Sequence, residues 1–480
     1  MHLQTLKIPI CCNIQSPKLQ NPRLINGFSQ PLPIYNCKGN EVSNSNNNRF
    51  NNSLSFSSNN NGGIVKSRKG LVGVKDVDVV TLGNLCVDVV LSVPSLPPVA
   101  LEERKAYMEK LSSSRPDKKY WEAGGNCNMT IAAARLGLRC LTLGHVGNEI
   151  YGHFLLDVLL DEGIGMVEMS DDTKAFDGNS PYETLLCWVL VDPSQKHGFC
   201  SRADFSKDPA FSWMSKLSGE VKKAIRQSKI LFCNGYAFDE LSPSVIISAL
   251  EYAMEVGTSI FFDPGPRGRT LSIGTPEQQR ALSLYLSMSD VLLLTSDEAE
   301  SLTGIKNPIL AGQQLLNKGV RTKWVIIKMG SKGSILITRS SISCAPAFKV
   351  NVMDTVGCGD SFVAAIAFGY LHDMPTVNTI TLANAVGAAT AMGCGAGRNV
   401  ATLEKVMELI VQKDSKLAED DDFSNLFLDE NSSDTNEVML VSKSTNGISS
   451  CLNHVSLQKV LSELLPKLEI VNDEKRMVPS

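Results

Sequence analysis

The residues with the clearest chemical potential form a glycine-rich turn that leads directly into a helical pattern. The turn reads Asp354-Thr-Val-Gly-Cys-Gly-Asp360, and the small and apolar residues 361–369 that follow predict a buried helix. Glycine permits a tight turn, and the first turn of a helix leaves backbone N–H groups unpaired at the positive end of the helix dipole. The pattern therefore predicts an anion-binding site at the start of this helix.

Asp360 stands at the mouth of this predicted anion site, where a carboxylate repels the ligand. Such a placement is useful when the site also has to take a proton from a hydroxyl that attacks a phosphoryl group. The alternative is an aspartate that caps the helix N-terminus, which is a common structural use. The local pattern leaves both interpretations open.

The elements that position this turn alternate between strand and helix from residue 76 to residue 412. Apolar runs bounded by Gly, Pro or Asp predict buried strands at 77–82, 140–143, 230–233, 259–262, 291–294 and 324–327. Helical patterns lie between them at 129–136, 152–160, 243–254 and 309–317. This alternation predicts an α/β fold with a doubly wound, mostly parallel sheet flanked by helices. A polar segment at about 89–120 interrupts the pattern and predicts a small β-rich lid.

The two ends of the chain differ from this central region. Residues 1–75 contain nine Lys or Arg residues, many Ser and Asn, and a single acid, Glu41. A basic, serine-rich, acid-poor segment is typical of an organellar transit peptide, and we expect import into a plastid; a disordered tail without an address is the alternative. Residues 413–455 are acidic and predict a disordered insert, whereas residues 456–480 have an amphipathic pattern that favours a C-terminal helix.

Composition and the absence of certain motifs argue against several classes of function. The formal net charge of -4 gives no electrostatic reason to expect nucleic-acid binding. No apolar run reaches the roughly 18 residues of a membrane span. A Rossmann dehydrogenase needs Gly-x-Gly-x-x-Gly after its first strand, and the sequence from Gly83 to Asp88 lacks this motif. A P-loop kinase is excluded because no Gly-x-x-x-x-Gly-Lys-Ser/Thr is present.

Six motifs in one consistent order resemble those of the pfkB, or ribokinase-like, family of carbohydrate kinases, and its plant plastid members in particular. In chain order the motifs are Gly124-Gly-Asn-Cys-Asn128, Gly144-His-Val-Gly-Asn-Glu-Ile-Tyr-Gly152, Asp263-Pro-Gly-Pro-Arg267, Thr295-Ser-Asp-Glu298, Lys328-Met-Gly-Ser-Lys-Gly333 and the turn ending at Asp360. Each motif is weak alone, but six in order are specific. The resemblance extends over about residues 77–412 and implies a ribokinase-like fold.

The resemblance implies a role for each matching residue. Asp360 corresponds to the catalytic base, and the backbone amides of Gly357, Cys358 and Gly359 to the group that holds the charge on the transferred phosphoryl. The residues that correspond to the substrate-binding set, in which a carboxylate accepts hydrogen bonds from adjacent hydroxyls, are Asp88, Gly124, Gly125 and Asn128. A strand-edge aspartate and a plain turn before a helix are the structural alternatives.

The remaining motifs imply a nucleotide site and two kinds of cation. The residues that correspond to the ATP-binding set are Thr295, Lys328, Gly330 and Gly333. Glu298 corresponds to the residue that holds Mg²⁺ through water, or alternatively to a first-turn glutamate. The family also implies a monovalent cation, commonly potassium, and the residues that would contribute to its site are Asp354, the carbonyl of Val356, and the loop from Gly395 to Asn399.

The sequence departs from the family pattern at several positions. Gly265 and Thr295 replace asparagines, Cys358 replaces an alanine, and Glu149 replaces an aspartate. The Gly-Gly element is also one residue shorter than usual before Asn128. These changes put the substrate and the rate in doubt more than the type of reaction.

Together the residues predict ATP-dependent phosphorylation of a hydroxyl on a sugar or a ribonucleoside, with an inosine-like nucleoside as a candidate. A kinase for a free sugar such as ribose or fructose is one alternative. A non-catalytic scaffold of a plastid complex is another, although the residues required for catalysis are retained. The expected partners are ATP with Mg²⁺ and the small-molecule acceptor, and we expect a monomer or a homodimer.

Overall fold

A large sheet forms the centre of the computed structural model, which describes residues 75–169, 183–194, 196–206, 208–411, 437–443 and 450–477. Within these residues, eleven strands form the sheet in the order β15-β14-β13-β12-β11-β10-β9-β8-β1-β4-β5. Their bounds are Val77–Leu82 (β1), Cys140–Gly144 (β4), Gly165–Glu168 (β5), Ser228–Asn234 (β8), Ser259–Asp263 (β9), Val291–Thr295 (β10), Trp324–Lys328 (β11), Ser334–Ile337 (β12), Ser341–Ala345 (β13), Glu437–Lys443 (β14) and Ser450–Ser456 (β15). The six strands predicted from apolar runs are all present.

Neighbouring strands from β5 to β11 run parallel, and those from β11 to β15 run antiparallel. Chain order reverses at β1, because β4 lies on one side of it and β8 on the other. In open parallel sheets, ligands bind at the carboxyl ends of the strands where the order reverses. The topology therefore places a binding crevice beyond β1 and β8.

Helices cover both faces of the sheet and bury its central strands, whereas the edge strand β5 stays partly exposed. Their bounds are Leu101–Ser112 (α1), Asn126–Arg135 (α2), Ile150–Asp161 (α3), Gly219–Gln227 (α4), Ala237–Glu240 (α5), Pro243–Glu255 (α6), Arg267–Ser272 (α7), Pro276–Met288 (α8), Ser296–Thr303 (α9), Pro308–Lys318 (α10), Cys358–Leu371 (α11), Thr376–Ala391 (α12), Leu403–Val411 (α13) and Leu457–Met477 (α14).

Two hydrophobic cores result, one on each face, because successive strand residues point to opposite sides. Leu293 and Phe261 pack in the core beneath α11 and α12, whereas Leu292 and Phe262 pack in the core beneath α6 and α8. A strand buried on both faces must be apolar at every position, which explains the continuous apolar runs in the sequence. The predicted doubly wound α/β fold is confirmed.

A second, four-stranded sheet stands beside the main sheet, but its strands differ from those predicted for the lid. Its order is β3-β2-β6-β7, with β2 at Leu85–Ser92, β3 at Trp121–Gly125, β6 at Leu185–Val191 and β7 at His197–Ser201. The segment predicted as a β-rich lid at 89–120 supplies only the end of β2; the rest is mainly α1 and loop. The prediction of the lid strands was therefore wrong in position, because β6 and β7 come from a part of the chain far from β2.

The C-terminal part of the chain adds structure to the edge of the main sheet. The strands β14 and β15 lie within the predicted disordered insert 413–455, apart from the last residue of β15, and β14 pairs with β13. The prediction was wrong for these strands, and residues 413–436 lie outside the described residues. The predicted C-terminal helix is present as α14, whose residues Leu464 and Leu468 are buried in the core under α12 and α13.

Two further observations concern the rest of the chain. The predicted transit segment 1–75 lies outside the described residues apart from Lys75. Among the described helices, none combines the length and apolarity that a bilayer crossing requires.

Candidate active site

A cavity of about 780 Å³ opens at the carboxyl ends of β1 and β8, between the main sheet and the small sheet. Its walls bring together five of the residues singled out in the sequence: Asp88, Gly125, Asn128, Gly357 and Asp360. Five of the eight predicted substrate and catalytic residues thus meet at the crevice that the topology creates, whereas Gly124, Cys358 and Gly359 are not among its lining residues. Arg115 from the 89–120 segment also lines the cavity, so that this segment does reach the site.

The turn before α11 has the geometry of an anion site. Gly357 occupies the N-cap position with φ +76°, a left-handed conformation that favours glycine. Among the described residues, the N–H groups of Gly359 and Asp360 meet no acceptor, whereas that of Cys358 donates to the Thr355 carbonyl at 3.3 Å. Free N–H groups at the start of a long buried helix provide an electropositive surface for an anion.

Asp360 is the third residue of α11, so the alternative that it is the N-cap is wrong. Its side chain faces the cavity, where burial and the nearby charge of Asp263 raise its pKa to about 6. Lys328 and a hydrogen bond from Asn128 oppose this shift. The carboxyl is therefore ionised near neutral pH yet can accept a proton, as a general base must.

Asp88 lies in β2 of the small sheet, and only 5% of the residue is exposed. The carboxylate lies over Gly124, and a methyl group at Gly124 would overlap it. Burial raises the pKa of Asp88 to about 7, and the charge of Asp360 adds to this increase, while a hydrogen bond from the Cys86 thiol, at 3.5 Å, opposes it. Two buried carboxyl groups that disfavour each other's ionisation therefore face one cavity.

The Gly-Gly element is held by its backbone. Gly125 has φ +60°, and the N–H of the following Asn126 donates to the Asn84 carbonyl at 2.7 Å. The Asn128 side chain accepts a hydrogen bond from the Gly397 N–H at 2.6 Å, in addition to its bond to Asp360. Asn128 therefore connects Asp360 to the loop that follows α12.

The predicted nucleotide residues cluster at the carboxyl ends of β10 and β11. Thr295 and Glu298 form a capping box on α9, in which the Glu298 carboxylate accepts from the Thr295 N–H at 2.8 Å. Lys328 donates to Asp263 at 2.6 Å, and this ion pair lies close enough to influence the pKa of both Glu298 and Asp360. Burial, followed by the charge of Asp263, raises the pKa of Glu298.

This cluster suits a magnesium ion that keeps most of its water. Within the described residues, no group of three or more His, Cys, Asp or Glu side chains is arranged to hold a metal. Mg²⁺ bound with nucleotide phosphates commonly uses only one or two carboxylates. Glu298 and Asp263 match that requirement in their chemistry.

Gly330 and Gly333 form the turn between the antiparallel strands β11 and β12, with φ values of +60° and +102°. A methyl group at Gly333 would collide with the backbone at Ala345, whereas the space at Gly330 is open. Both glycines therefore serve a hairpin turn, whatever further role they have.

The carboxylate of Asp354, which the family resemblance assigns to a monovalent cation, has protein hydrogen bonds to both oxygens. It accepts from the N–H groups of Val356 at 3.0 Å and Gly395 at 2.7 Å, and His197 contacts it at 2.6 Å. Burial alone would raise the pKa of Asp354, but these bonds hold it below its ordinary value. The Asn399 side chain presents an amide N–H₂ to a neighbouring carbonyl. Among the described residues, the groups on this carboxylate are N–H donors, whereas a cation needs oxygen lone pairs.

Sequence reasoning missed several residues of the site. The Arg267 guanidinium binds Asp239 through two nitrogens and Asp204 at 2.9 Å, which fixes one wall of the cavity. The aromatic residues on the cavity wall are Tyr151, Trp188, Phe199, Phe211 and Tyr236. The motif Asp263-Pro-Gly-Pro-Arg267 had indicated Arg267 but not its partners, which lie in other segments.

Comparisons with known proteins agree with this architecture. Fructokinase-1 of Zea mays is 25% identical over 342 residues, which is 69% of this chain and 97% of the relative. The 5-dehydro-2-deoxygluconokinase of Bacillus thuringiensis subsp. konkukian is 28% identical over 326 residues, covering 65% of this chain and 88% of the relative. A structure described as a ribokinase II of E. coli with ATP and Mg²⁺ shares the fold with a TM-score of 0.55 at 19% identity, over 69% of this chain and 98% of that one.

The family model for pfkB family carbohydrate kinases matches residues 78–403, which include the whole crevice and both sheets as far as β13. The chain therefore belongs to the pfkB family of carbohydrate kinases, phosphotransferases whose acceptor is an alcohol group.

Proposed function

We propose that this protein transfers the γ-phosphoryl group of ATP to a hydroxyl of a sugar or ribonucleoside, with Asp360 as the general base. One observation carries the proposal. Asp88 and Asp360 face the same cavity beside the free N–H groups at the start of α11, and their pKa values are raised to about 7 and about 6. A carboxylate that binds hydroxyls, a base and an anion site are the parts that this reaction requires.

The reaction follows from these positions. Asp88 accepts hydrogen bonds from acceptor hydroxyls and orients the one that reacts toward Asp360. As the hydroxyl oxygen bonds to the γ-phosphorus, its proton moves to Asp360 and the bond to ADP breaks. The free N–H groups at the start of α11, those of Gly359 and Asp360, stabilise the charge on the phosphoryl oxygens. Bound Mg²⁺ neutralises phosphate charge, and Glu298 beside the Lys328–Asp263 pair would hold it through water.

The acceptor that the cavity favours is a ribonucleoside. Aromatic side chains with exposed surface, Tyr151, Phe199 and Tyr236, line a volume of about 780 Å³, which suits a purine-like ring stacked beside a ribose. A sugar alone would leave much of this apolar wall in contact with water. A free sugar is the second candidate, since the relatives named above are kinases of sugars or sugar acids.

We also propose that the protein acts in plastids, on the basis of the basic, acid-poor residues 1–75. A fusion of these residues to a fluorescent reporter should enter chloroplasts, and cytosolic fluorescence would contradict this proposal. The alternative to a kinase is a non-catalytic scaffold of a plastid complex. Such a scaffold would need the fold, but it would not need Asp88 and Asp360 to face one cavity.

The experiment that tests the function is an acceptor panel. Inosine, guanosine, adenosine, ribose and fructose are each incubated with the full chain and Mg-ATP, and acceptor-dependent ADP release is measured alongside the phosphorylated product. We expect a ribonucleoside to give the highest kcat/KM, and Asp360→Asn to abolish the signal. Release of ADP with a sugar alone selects the second candidate. Absence of turnover with every acceptor, despite binding of Mg-ATP, would favour the scaffold.

A further inference from the structure

His197 connects the small sheet to the glycine-rich turn of the site. It lies on β7, the edge strand of the small sheet, 157 residues before its partner Asp354 in the sequence. The Nε2 atom is 2.6 Å from the Asp354 carboxylate, and the two side chains are only 13% and 4% exposed. Asp354 begins the turn that ends at Asp360, so this contact fixes the start of the proposed anion site.

The contact is complete with a neutral imidazole. The carboxylate can only accept, so Nε2 must carry the proton and donate it. The other ring nitrogen, Nδ1, lies 3.4 Å from the Thr355 hydroxyl, which is able to donate to it. Both ring nitrogens of His197 are therefore directed at the first two residues of the turn, and the arrangement requires no change of charge.

The same contact fills the position that the family resemblance assigns to a monovalent cation. One carboxylate oxygen of Asp354 accepts from His197 and from the Val356 N–H, and the other accepts from the Gly395 N–H. A cation at this carboxylate would have to displace the imidazole and would compete with the N–H groups of Val356 and Gly395 for the carboxylate lone pairs. An N–H donor and a cation both stabilise the negative charge of a buried carboxylate, so that one can take the place of the other.

We propose that His197 replaces the monovalent cation, so that a side chain of the small sheet, rather than potassium, positions the glycine-rich turn through Asp354. The proposal rests on the proposed function of this turn. It follows that the reaction is independent of potassium, and that the turn is ordered only when the small sheet is in place over the cavity. His197 is a positioning residue, because it acts through Asp354 and does not contact the reacting atoms.

The test compares chloride salts of potassium, sodium and tetramethylammonium at equal ionic strength, with melting temperature and kcat as separate readouts. We expect wild type to give the same melting temperature and the same kcat in all three salts. His197→Ala exposes the Asp354 carboxylate, so its melting temperature and kcat should fall, the latter by about 10–100-fold as for other residues that orient a site. Potassium, but not tetramethylammonium, should partly restore both.

Two variants complete the design. His197→Gln keeps an N–H donor within reach of Asp354 and should remain independent of potassium. His153→Ala removes an exposed histidine of α3 whose ring contacts only Asn148 in the described structure, and it should behave as wild type. Specific activation or stabilisation of wild type by potassium would overturn the proposal, as would a His197→Ala variant without any potassium response. If no acceptor is found, the melting temperatures still test the role of His197. Failure of this proposal can therefore be distinguished from failure of the proposed function.

Discussion

Replacing Asp360 with asparagine removes a charge and a proton acceptor while leaving the side-chain volume almost unchanged. If Asp360 is the base, Asp360→Asn should lower kcat by roughly 10²–10⁴-fold, the usual contribution of a positioned general base. Binding of Mg-ATP should persist, because the backbone N–H groups of the turn are unaltered. A carboxylate that serves only the helix dipole would give a variant with nearly unchanged turnover.

The same substitution should make the ligand-free protein more stable, and the structure sets the size of the effect. In the folded protein, burial and Asp263 raise the pKa of Asp360 from 3.8 to about 6. The protonated carboxyl therefore favours the folded state below about pH 4, and this contribution is lost as the pH rises through about 6. The stabilisation that is lost amounts to at most about 3 kcal/mol at pH 8 and to roughly half of that at pH 5. Asparagine does not ionise, so the variant avoids this loss.

Denaturant unfolding of the ligand-free wild type and of Asp360→Asn at pH 5 and pH 8 measures this difference. Asp157→Asn, at an exposed position on α3, is the matched control and should change neither stability nor kcat. A dipole-only role predicts the opposite sign, a loss of about 0.3–1 kcal/mol on removing a first-turn charge. Unchanged turnover together with lower stability at pH 8 would therefore refute the assignment of the base.

Three further predictions concern the acceptor side of the cavity. Asp88→Asn should strongly reduce kcat/KM yet stabilise the ligand-free protein at pH 8 by up to about 4 kcal/mol, because the pKa of Asp88 is raised from 3.8 to about 7; lower stability in denaturant unfolding would contradict this. Gly124→Ala should reduce kcat/KM roughly 10²-fold by displacing the Asp88 carboxylate, whereas Gly219→Ala, with open space around it, should match wild type in the same assay. The kcat/KM of wild type should fall as the pH decreases, first near pH 7 and again near pH 6, as Asp88 and Asp360 become protonated; a flat profile between pH 5 and 8 would exclude both assignments.

The main sheet was predictable because its signal is local. Each central strand is buried on both faces, so its run of apolar residues is visible without knowledge of its partners. The strands of the small sheet and the C-terminal pair carry a weaker signal, since their pairing joins distant segments. Val87 of β2 pairs with Leu186 of β6, and Ser343 of β13 pairs with Leu440 of β14. Sequence patterns do not report such long-range pairing, and the acidic composition before β14 suggested disorder instead.

The residues of the site also fall into those that local motifs predict and those that depend on distant segments. The positions of Gly357, Gly125 and Asp360 follow from short motifs whose backbone requirements are local. His197 and Arg267 act through partners in other segments, and no spacing in the sequence indicates those contacts. The stretch around His197 has no glycine turn or helix pattern that would mark it as part of a site. Its function becomes visible only when the small sheet is placed against the turn.

The departures at Gly265 and Thr295 also make physical sense in the folded protein. Gly265 has φ +52°, a conformation that glycine and asparagine adopt more readily than other residues, and its N–H donates to Asp263 at 3.0 Å. Thr295 is the N-cap of α9, a position at which threonine and asparagine both act through a side-chain oxygen. Each replacement is thus compatible with a backbone position that asparagine can also occupy, and removes a side-chain amide. Because Asp263 and Lys328 lie within electrostatic reach of both Asp360 and Glu298, the proposed reaction keeps its arrangement of charges without either amide.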